Sequence, residues 1–468
     1  MEGGSELRGS LRLVTMAWVF GSLWMYIVSG AALTQYGKLL GLSKFWFGLL
    51  GALPFAGALV QLPASYCVAR FGHRKSVFII AAALHRLVWL PIAAIPWFVP
   101  HAWWWPALLW LVATSWAFGH ISTPAWVSWM ADLVPGRIRG RYFSRRTQVG
   151  QLVGLATTTT IGCVLDLADH TGGDTLMRTL SVAIALAGLA GTVDILFFLP
   201  VREARPVQPD PHVSLWELAR APLADRNFRR FLAFTFTLTF AIGYVGQYAW
   251  LYIFDVVGLS NLRANIMLVV VPSVVLMMFT SVWGRVIDRI GHKPVLLIAG
   301  LLIVPGGAAW VFVTRDHWIP GYCAVMLVCA AWPGVELANF NIMLGMSGER
   351  SRPGAYVAIN SLVGAVAGIL SGLFGGIVAE ALSDWHGTLF GWPLTYHGVL
   401  FLISGVIRFL ALGWLIGLED RRAYTTHAAL RYMGTNLYSN LHQAIFLPGR
   451  LLLRLTRWTY EIKPKGRK

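Results

Sequence analysis

The sequence has few charged side chains. Only 13% of its 468 residues are Asp, Glu, Lys or Arg, about half of the roughly 25% that is usual in soluble globular proteins. A water-soluble protein of this length needs those charges to cover its surface. Intrinsic disorder is excluded as well, because 56% of the residues are hydrophobic and 22 are Trp, and so much apolar surface cannot stay solvated. The composition therefore predicts an integral membrane protein.

Cysteine is also scarce. The chain has four cysteines, and they form no C-x-x-C pair of the kind that indicates a metal or redox site. All of them lie inside apolar stretches, where cysteine behaves as a small hydrophobic residue. We therefore expect no metal, and we predict buried side chains at all four positions, which are Cys67, Cys163, Cys323 and Cys329.

Motifs for catalysis are missing. The sequence lacks the G-x-x-x-x-G-K-[ST] loop of ATP-hydrolysing proteins, the G-x-S-x-G motif of serine hydrolases and the H-E-x-x-H motif of zinc peptidases. We therefore expect a protein that is not an enzyme and that needs no cofactor. An integral-membrane enzyme is the alternative, although no motif supports it.

Acidic residues are fewer than basic ones, 21 against 38, which gives a formal charge of +17. Such an excess is also typical of nucleic-acid-binding proteins. Here the basic residues form short clusters between long apolar runs, which is typical of loops at a membrane surface. We therefore expect membrane lipids, and no nucleic acid, among the partners.

Long apolar runs are abundant. A helix needs about 20 apolar residues to cross a hydrocarbon core of about 30 Å, and the chain contains twelve runs of about that length. In the first half they cover residues 11–33, 46–69, 76–99, 103–131, 147–168 and 179–200. In the second half they cover residues 230–256, 263–286, 294–314, 319–344, 354–382 and 396–418. We predict twelve transmembrane helices.

The basic residues indicate the orientation and the domains. Most of them fall on the side of the membrane that holds both chain ends, so the positive-inside rule predicts cytoplasmic termini in a plasma-membrane protein. Residues 201–228 are polar and rich in proline, which predicts a cytoplasmic linker. It separates bundles at 1–200 and 229–418, and a basic tail follows at 419–468.

The two halves resemble each other. The segment from Arg70 to Lys75 (RFGHRK) follows the second run, and the segment from Arg289 to Lys293 (RIGHK) follows the eighth. A Tyr and two Gly also recur at identical spacing after the fourth and tenth runs, as Tyr142, Gly150 and Gly154 and as Tyr356, Gly364 and Gly368. This internal repeat predicts two related six-helix bundles, an architecture typical of alternating-access transporters.

The second of these segments resembles a family signature. Residues 284–293 match the pattern G-x-x-x-D-R-x-G-x-K/R of the major facilitator superfamily, and residues 63–75 form a weaker copy. The resemblance implies an all-α integral membrane fold of twelve transmembrane helices in two pseudo-symmetric six-helix bundles. It also implies a gating role for the motif residues Gly284, Asp288, Arg289, Gly291 and Lys293 and, in the first half, for Arg70, Gly72 and Arg74.

One position departs from that family pattern. Family members carry an acidic residue before the motif's Arg, whereas the first half has Ala69, so the acidic gating role carries over only to Asp288. Asp132, which lies close to Arg137 and Arg139, is a candidate for the missing carboxylate in the first half. The alternative is that Asp132 is a solvated loop residue.

Glu336 is an ionisable residue inside an apolar run. Such a residue costs about 2.5–3.5 kcal/mol to insert, so a functional role is expected. It lies in the tenth run with Asn339 and Asn341, and the resemblance implies that the first, fourth, seventh and tenth helices surround the transport path. A carboxylate in a partly dry cavity can exchange a proton and couple transport to a proton gradient. The alternative is a carboxylate that caps or pairs near the cytoplasmic end of the helix.

Other polar residues in the runs are candidates for the substrate path. His120 in the fourth run is a candidate for proton exchange or hydrogen bonding, although a packed histidine is the alternative. Tyr244, Gln247 and Tyr248 share one helical face by their spacing. With Trp24, they would suit a sugar ring or a flat drug, unless these aromatic residues are interfacial anchors.

Two further charges have a structural explanation. Arg86 and Asp194 lie in the third and sixth runs, where they could pair inside the first bundle. Arg408 in the twelfth run has no partner that the sequence identifies.

These features lead to a functional prediction. We expect a monomeric secondary transporter that moves a small-molecule substrate, with protons as the coupling ion and a sugar or glycoside as the substrate. The alternatives are an exporter of amphipathic drugs and a transport-dead sensor or scaffold. Residues 440–468 alternate basic and apolar positions, which predicts an amphipathic helix on the anionic leaflet; a helix that docks a protein partner is its alternative.

Overall fold

The structure is a computed structural model that describes residues 2–203, 222–346 and 353–419. Nearly all of this part of the chain is helical. The helices of the first half are α1 (Glu2–Ile27), α2 (Ala31–Leu39), α3 (Lys44–Ala58), α4 (Gln61–Phe71), α5 (Arg74–Leu87), α6 (Trp89–Phe98), α7 (Trp104–Leu133), α8 (Gly136–Asp169) and α9 (Gly173–Leu196).

The second half continues with α10 (Arg226–Gly243), α11 (Tyr248–Tyr252), α12 (Asn261–Asn265), α13 (Val271–Ile290), α14 (His292–Ala308), α15 (Ile319–Met346), α16 (Pro353–Ala381) and α17 (Tyr396–Ile416). Two short π-helices extend α11 and α12, at Ile253–Val257 and Ile266–Val270. Short 3-10 helices precede α7 at His101–Trp103 and follow α14 at Ala309–Phe312. A hairpin of β1 (His386–Leu389) and β2 (Trp392–Thr395) pairs His386 with Thr395 ahead of α17.

The twelve predicted spans are confirmed. Eleven helical segments among the described residues are long and apolar enough to cross a membrane. The fourth span, α7, is the remaining one, and its 30 residues give a length of about 45 Å. Six tryptophans lower its average hydropathy without making it unsuitable for a membrane.

Glycine and proline explain most breaks within the spans. Gly30, with a φ of +69°, separates α1 from α2. Pro63 has no N–H, and its ring conflicts with the carbonyl of Leu59, where α3 and α4 separate. Pro91 has the same relation to Leu87, the last residue of α5. The first, second and third spans are therefore each built from two helices.

Boundaries differ most in the fifth span. Helix α8 begins at Gly136, eleven residues before the predicted start at 147. Residues 137–146 are rich in Arg, a good helix former, and they extend the helix beyond the apolar run. Consequently Arg146 lies more than two turns inside a helix and is not a loop residue.

The cysteine prediction is wrong. Cys67, Cys163 and Cys323 are exposed, and Cys329 is half-buried. In a membrane, lipid replaces the protein core as the apolar environment, so small apolar residues can lie on the outer helix surface. The same surface carries large exposed side chains such as Trp110 and Ile416, which are 74% and 79% exposed.

An even number of spans brings both ends of the described chain to one side. We call it the terminal side, and we call the opposite side, which holds residues 40–43, 258–260 and 382–395, the far side. The two bundles pack along two helix pairs, α3 with α16 and α8 with α12.

The repeat is visible in the contacts. Lys75 donates hydrogen bonds to the carbonyls of Leu199 and Val201 at the end of the sixth span, at 2.9 and 2.8 Å. Lys293 donates in the same way to Ile416 and Leu418 at the end of the twelfth span, at 3.3 and 2.8 Å. Each lysine of the repeated motif therefore binds free carbonyls at the end of its own bundle's last helix.

The linker and the tail remain predictions. Most of residues 201–228 and nearly all of 419–468, including the predicted amphipathic helix, lie outside the described residues. The last residues of the predicted linker are helical. Asp225 caps α10, because its carboxylate accepts hydrogen bonds from the backbone N–H groups of Asn227 and Phe228.

Candidate functional site

Charged and polar groups join the bundles on the far side. Lys38, in helix α2 of the first span, forms a salt bridge with Asp255 of the seventh. Lys44 donates to the carbonyl of Ser383 at 3.1 Å, and the N–H of Phe45 donates to Glu380 Oε2 at 3.0 Å. These contacts link the start of the second span to the end of the eleventh.

Asp166 provides a second link on the same side. It lies in α8 of the first bundle and accepts hydrogen bonds from the backbone N–H groups of Asn261 (2.6 Å) and Leu262 (3.2 Å) of the second. These N–H groups open helix α12, where a carboxylate is favoured by the helix dipole. Gln35 also donates to the Asn261 side chain, at 3.0 Å. One carboxylate of the first bundle thus caps a helix of the other.

Glycines let the second and eleventh spans approach closely. A Cβ atom on Gly48 would come within 2.5 Å of the Gly372 carbonyl oxygen, and a Cβ on Gly372 would come equally close to the Gly48 carbonyl. Small residues at such positions are typical of helix contacts in membranes. Beside them, Tyr248 donates to the Lys44 carbonyl at 3.0 Å.

Apolar packing also joins the two bundles on the far side and separates them on the terminal side. On the far side a single core cluster contains residues of both bundles, for example Tyr36 and Phe47 with Tyr248 and Tyr396. On the terminal side each bundle has its own cluster, one around Trp129 and one around residues such as Phe228 and Ile287. Hydrogen bonds between described residues of the two bundles lie in the far half. The bundles are therefore joined on the far side and apart on the terminal side.

The seventh span does not present the predicted aromatic face. Residues 244–247 form turns between α10 and α11, so the helical spacing of Tyr244, Gln247 and Tyr248 does not apply. Tyr248 is 1% exposed and belongs to the far-side contact. Tyr244 is buried and stacks on Phe240, with 5.8 Å between ring centroids. Gln247 is half-buried, with its Cγ beside Gly51 of the second span.

His120 packs between helices. Its Nδ1 lies 3.3 Å from Gln61 Oε1, and its ring lies against Gly57 of the second span and 6.1 Å from the Trp116 ring. These contacts favour the packing alternative over a role in the substrate path.

The three polar residues of the tenth span have different surroundings. Glu336 is exposed and makes no ion pair or hydrogen bond with another described residue. Asn339 is half-buried, and its Oδ1 is buried without a hydrogen-bond partner in the described part of the chain. Asn341 donates back to the carbonyl of Leu337 at 2.8 Å, so its amide serves its own helix.

Asp132 contacts the motif. Arg74 is 1% exposed; its Nη1 donates to Asp132 Oδ2 at 2.6 Å and its Nε donates to Glu203 Oε1 at 2.9 Å. The guanidinium thereby ties the start of the third span to the ends of the fourth and sixth. The two other first-half motif residues are the exposed Arg70, beside Tyr66, and Gly72, which has a φ of +71°.

The second copy of the motif lies at the surface. Asp288 and Arg289 are exposed, Gly284 has open space where a Cβ would lie, and Gly291 has a φ of +88°. Lys293 makes the helix-end contact described above. A gating role for either copy remains a prediction.

A charged cavity lies inside the first bundle, where the sequence indicated only a structural pair. We call it the arginine cavity; its volume is about 250 Å³, and its polar and aromatic walls include Trp18, His85, Arg86, Trp126, Arg146 and Asp194. Arg86 Nη2 lies 3.3 Å from Asp194 Oδ2, and both side chains are nearly buried, at 11% and 5% exposed. The predicted ion pair is therefore present in the structure.

Aromatic rings cover both guanidinium groups. Arg86 Cζ lies 3.6 Å from the centroid of Trp24, so Trp24 packs inside the bundle at 6% exposed. Arg146 Cζ lies 4.1 Å from the centroid of Trp18 and 5.0 Å from that of Trp126. Cation–π contacts of this kind stabilise a guanidinium that has left water.

Glycines make room for the charges. A Cβ atom on Gly21 would lie 2.6 Å from Asp194 Oδ2, and one on Gly191 would lie 2.5 Å from Arg86 Cδ. A side chain at Gly150 would overlap the Trp18 indole. Glycine is therefore required on the first, fifth and sixth spans for these groups to fit.

The cavity is not predictable from the apolar runs, because the fifth run begins at residue 147 and leaves Arg146 in the preceding loop. A signal was available, since Arg146, Gly150 and Gly154 are spaced four residues apart and share a helix face.

A metal site is not found, since the described residues contain no group of three or more His, Cys, Asp or Glu side chains that could hold one.

Known proteins share this architecture. The family model described as Major Facilitator Superfamily matches residues 13–372. A mutant of the nucleoside transporter NupG is similar, with a TM-score of 0.64 and 13% identity over 88% of this chain and 100% of that one. A D-xylose-proton symporter has a TM-score of 0.63 and 17% identity over 89% and 98% of the two chains.

A third solved structure is a bacterial homologue of the human lysosomal transporter Spinster, inward-facing and unoccupied. Its TM-score is 0.61, with 16% identity over 89% of this chain and 99% of that one. At these identities the likeness shows the fold alone. No sequence among the curated proteins matches the chain.

Proposed function

We propose that the chain, which belongs to the major facilitator superfamily, is a secondary transporter that moves a small solute by alternating access. One observation carries this proposal: the bundles are joined on the far side and apart on the terminal side. A transporter that rocks two bundles about a central site needs contacts that close one side while the other is open. The far-side contacts have that property, because each joins residues of different bundles.

The orientation follows from charge. Basic residues concentrate on the terminal side, which supports cytoplasmic termini in a plasma membrane. The structure would then be open to the cytoplasm. The solved Spinster homologue, titled as inward-facing, supports the same assignment.

For the substrate, we propose a solute with a ring body, with sugars and glycosides as one class and flat amphipathic compounds as the other. The titles of the similar structures name a nucleoside transporter and a xylose symporter, both of which act on ring-bearing solutes. The seventh span contributes fewer aromatic side chains to a substrate site than its sequence predicts, because Tyr248 is part of the far-side contact.

For the coupling ion, we propose the proton, exchanged at Glu336. An exposed carboxylate inside a span is unfavourable against lipid tails, so it should face water between the bundles. A carboxylate without an ion pair is free to exchange a proton there.

Asp166→Ala tests alternating access without knowledge of the substrate. The substitution removes a helix cap that exists only when the far side is closed, which should cost that state about 0.5–2 kcal/mol. We expect the ratio of molecules closed on the far side to molecules open on that side to fall roughly two- to thirtyfold. In a cysteine-free background, spin labels at His170 and Arg263 report the far-side distance, and labels at Arg141 and Arg285 report the terminal-side distance.

The far-side distance should lengthen while the terminal-side distance shortens. Asp169→Ala is the matched control, because Asp169 is an exposed acid on the same helix that caps nothing in the other bundle. Distances that stay constant in Asp166→Ala, or that lengthen on both sides, would exclude a rocking transporter.

A further inference from the structure

The arginine cavity contains more positive than negative charge. Two guanidinium groups, of Arg86 and Arg146, face one carboxylate, that of Asp194. The remaining ionisable group in the cavity wall is His85, whose Nδ1 lies 2.8 Å from Ser115 Oγ. A buried charge without a counter-charge is costly, and the described wall of this cavity supplies one carboxylate for two guanidinium groups.

Arg146 differs from Arg86 in making no salt bridge with a described residue, and the Asp194 charge acts on it only from beyond ion-pair distance. Arg86 has both a carboxylate and an indole ring as partners. Arg146 has the rings of Trp18 and Trp126, and it makes no salt bridge or hydrogen bond with any other described residue. Its Nε, like that of Arg86, is buried without a hydrogen-bond partner in the same part of the chain. The protein therefore presents an unused, fork-shaped donor to a cavity that can hold a ligand.

The cavity has the properties of a ligand site. Its volume of about 250 Å³ is slightly below the roughly 300 Å³ at which the range for drug-sized ligands begins, so it suits a small ligand. A guanidinium binds a carboxylate or phosphate group through two parallel hydrogen bonds, and the flanking indoles offer flat surfaces for a ring. Glycines at positions 21, 150 and 191 keep the space open for these side chains.

Building on the proposed transport function, we infer that the substrate is a small organic anion whose carboxylate or phosphate group binds Arg146. Trp18 and Trp126 flank the guanidinium and contact the body of the solute. Asp194 holds Arg86 in place, so that Arg86 supports the cavity wall while Arg146 receives the anion. The inference narrows the ring-bearing substrate class to its acidic members.

A purely structural explanation makes different predictions. If Arg146 serves only as a second counter-charge for Asp194, its removal should destabilise the ligand-free protein and should not alter ligand discrimination. If Arg146 is an anion ligand, its removal should leave the ligand-free protein at least as stable and should abolish the preference for anions.

The experiment measures thermal unfolding and equilibrium binding of the full-length protein in detergent at constant ionic strength. The probes are glucuronate for the carboxylate, glucose 6-phosphate for the phosphate and glucose as the neutral equivalent. We expect at least one anion to raise the melting temperature and to bind tenfold or more tightly than glucose. The stronger of the two anions identifies which acidic group the cavity accepts.

Variants assign that preference to Arg146. Arg146→Gln should reduce anion binding at least tenfold and leave glucose binding unchanged, whereas Arg146→Lys should keep part of the anion preference. Arg141→Gln is the matched control, because it removes an exposed arginine from the same helix and should behave as the wild type.

Three outcomes would overturn the inference. They are the absence of stabilisation by either anion, equal binding of glucose and the anions, and a loss of ligand-free stability in Arg146→Gln as large as that in Arg86→Gln. The proposed transport function fails on different evidence, namely label distances that do not respond to Asp166→Ala. Responsive distances together with equal binding of glucose would reject the anion site alone.

Discussion

The two bundles share a scaffold but differ in their interiors. Lys75 and Lys293 bind equivalent helix ends, and Tyr142 and Tyr356 both pack against the first helix of their own bundle. The first bundle nevertheless encloses three charged groups around a cavity.

Among its described residues, the second bundle encloses one charged group, whose contacts differ. Arg408 is 7% exposed, its Nη1 donates to the carbonyl of Ile303 at 3.1 Å, and no carboxylate among the described residues contacts it. The lysine contacts with the helix ends are therefore equivalent in the two halves, whereas buried charge is not. The binding chemistry of one bundle can change without disturbing the scaffold that both bundles share.

Substitution of a buried arginine should produce the largest difference in stability between the two bundles. Arg86→Gln leaves the Asp194 carboxylate buried without its partner, which should lower the free energy of unfolding by about 3–5 kcal/mol. Arg408→Gln leaves no carboxylate without a partner and removes one hydrogen bond to a carbonyl. It should therefore lower the free energy of unfolding by about 1–2 kcal/mol. Chemical unfolding in detergent, followed by tryptophan fluorescence, measures both.

The double variant Arg86→Gln/Asp194→Asn checks the cause. It should recover most of the lost stability, because the unpaired charge is gone. If Arg86→Gln and Arg408→Gln lowered the free energy of unfolding equally, the difference in buried charge between the bundles would make no difference to their stability.

Alanine substitution of the repeated glycines, Gly150 and Gly364, should produce a smaller difference in stability between the bundles. A methyl group at Gly150 would overlap the Trp18 indole, whereas one at the equivalent Gly364 meets nothing within 4 Å. Gly150→Ala should therefore cost about 1–3 kcal/mol through overpacking. Gly364→Ala should stabilise by up to about 1 kcal/mol, because alanine favours the helix. The melting temperatures of the two variants should move in opposite directions, and a shared direction would contradict the packing difference.

Substitution of Glu336, the carboxylate inside the tenth span, should change stability least. Glu336 is exposed and has no ion pair among the described residues, so Glu336→Gln should change the free energy of unfolding by less than about 0.5 kcal/mol. The same variant should abolish gradient-driven accumulation of substrate in proteoliposomes, because glutamine cannot exchange a proton. Glu336→Asp, which keeps the carboxylate, is the control. Accumulation that persists in Glu336→Gln would assign proton coupling elsewhere.

Much of the fold was predictable because its causes are local. The length of each apolar run, a glycine such as Gly30 and a proline such as Pro63 act on their immediate neighbours in the chain. The repeated motif acts similarly, since Lys75 reaches a helix end that its own bundle provides. Predictions from the local sequence were wrong where a helix extends beyond its apolar run, as at Gly136, and where the helix is interrupted by turns, as at residues 244–247.

The candidate site was less predictable, because its residues meet across large distances in the sequence. Arg146 lies against Trp18 and Trp126, and only the packing of the first, fourth and fifth spans brings them together. Tyr248 was predicted to face a substrate, yet it closes the far side by a bond to Lys44, more than 200 residues earlier. Glu336 was identified correctly as an ionisable residue within a span, while its isolation from other described charges became visible only in the structure.

The amino-acid sequence is enough to identify a twelve-span membrane protein built from two related halves, because apolar run length, basic clusters and a repeated motif can be read in order along the chain. Which side of the molecule is closed, and which arginine beside the cavity makes no salt bridge with a described residue, became visible only in the packed structure. Both depend on contacts such as Asp166 with Asn261 and Arg86 with Asp194. Such contacts join separate helices, and their energies exist only once those helices have packed.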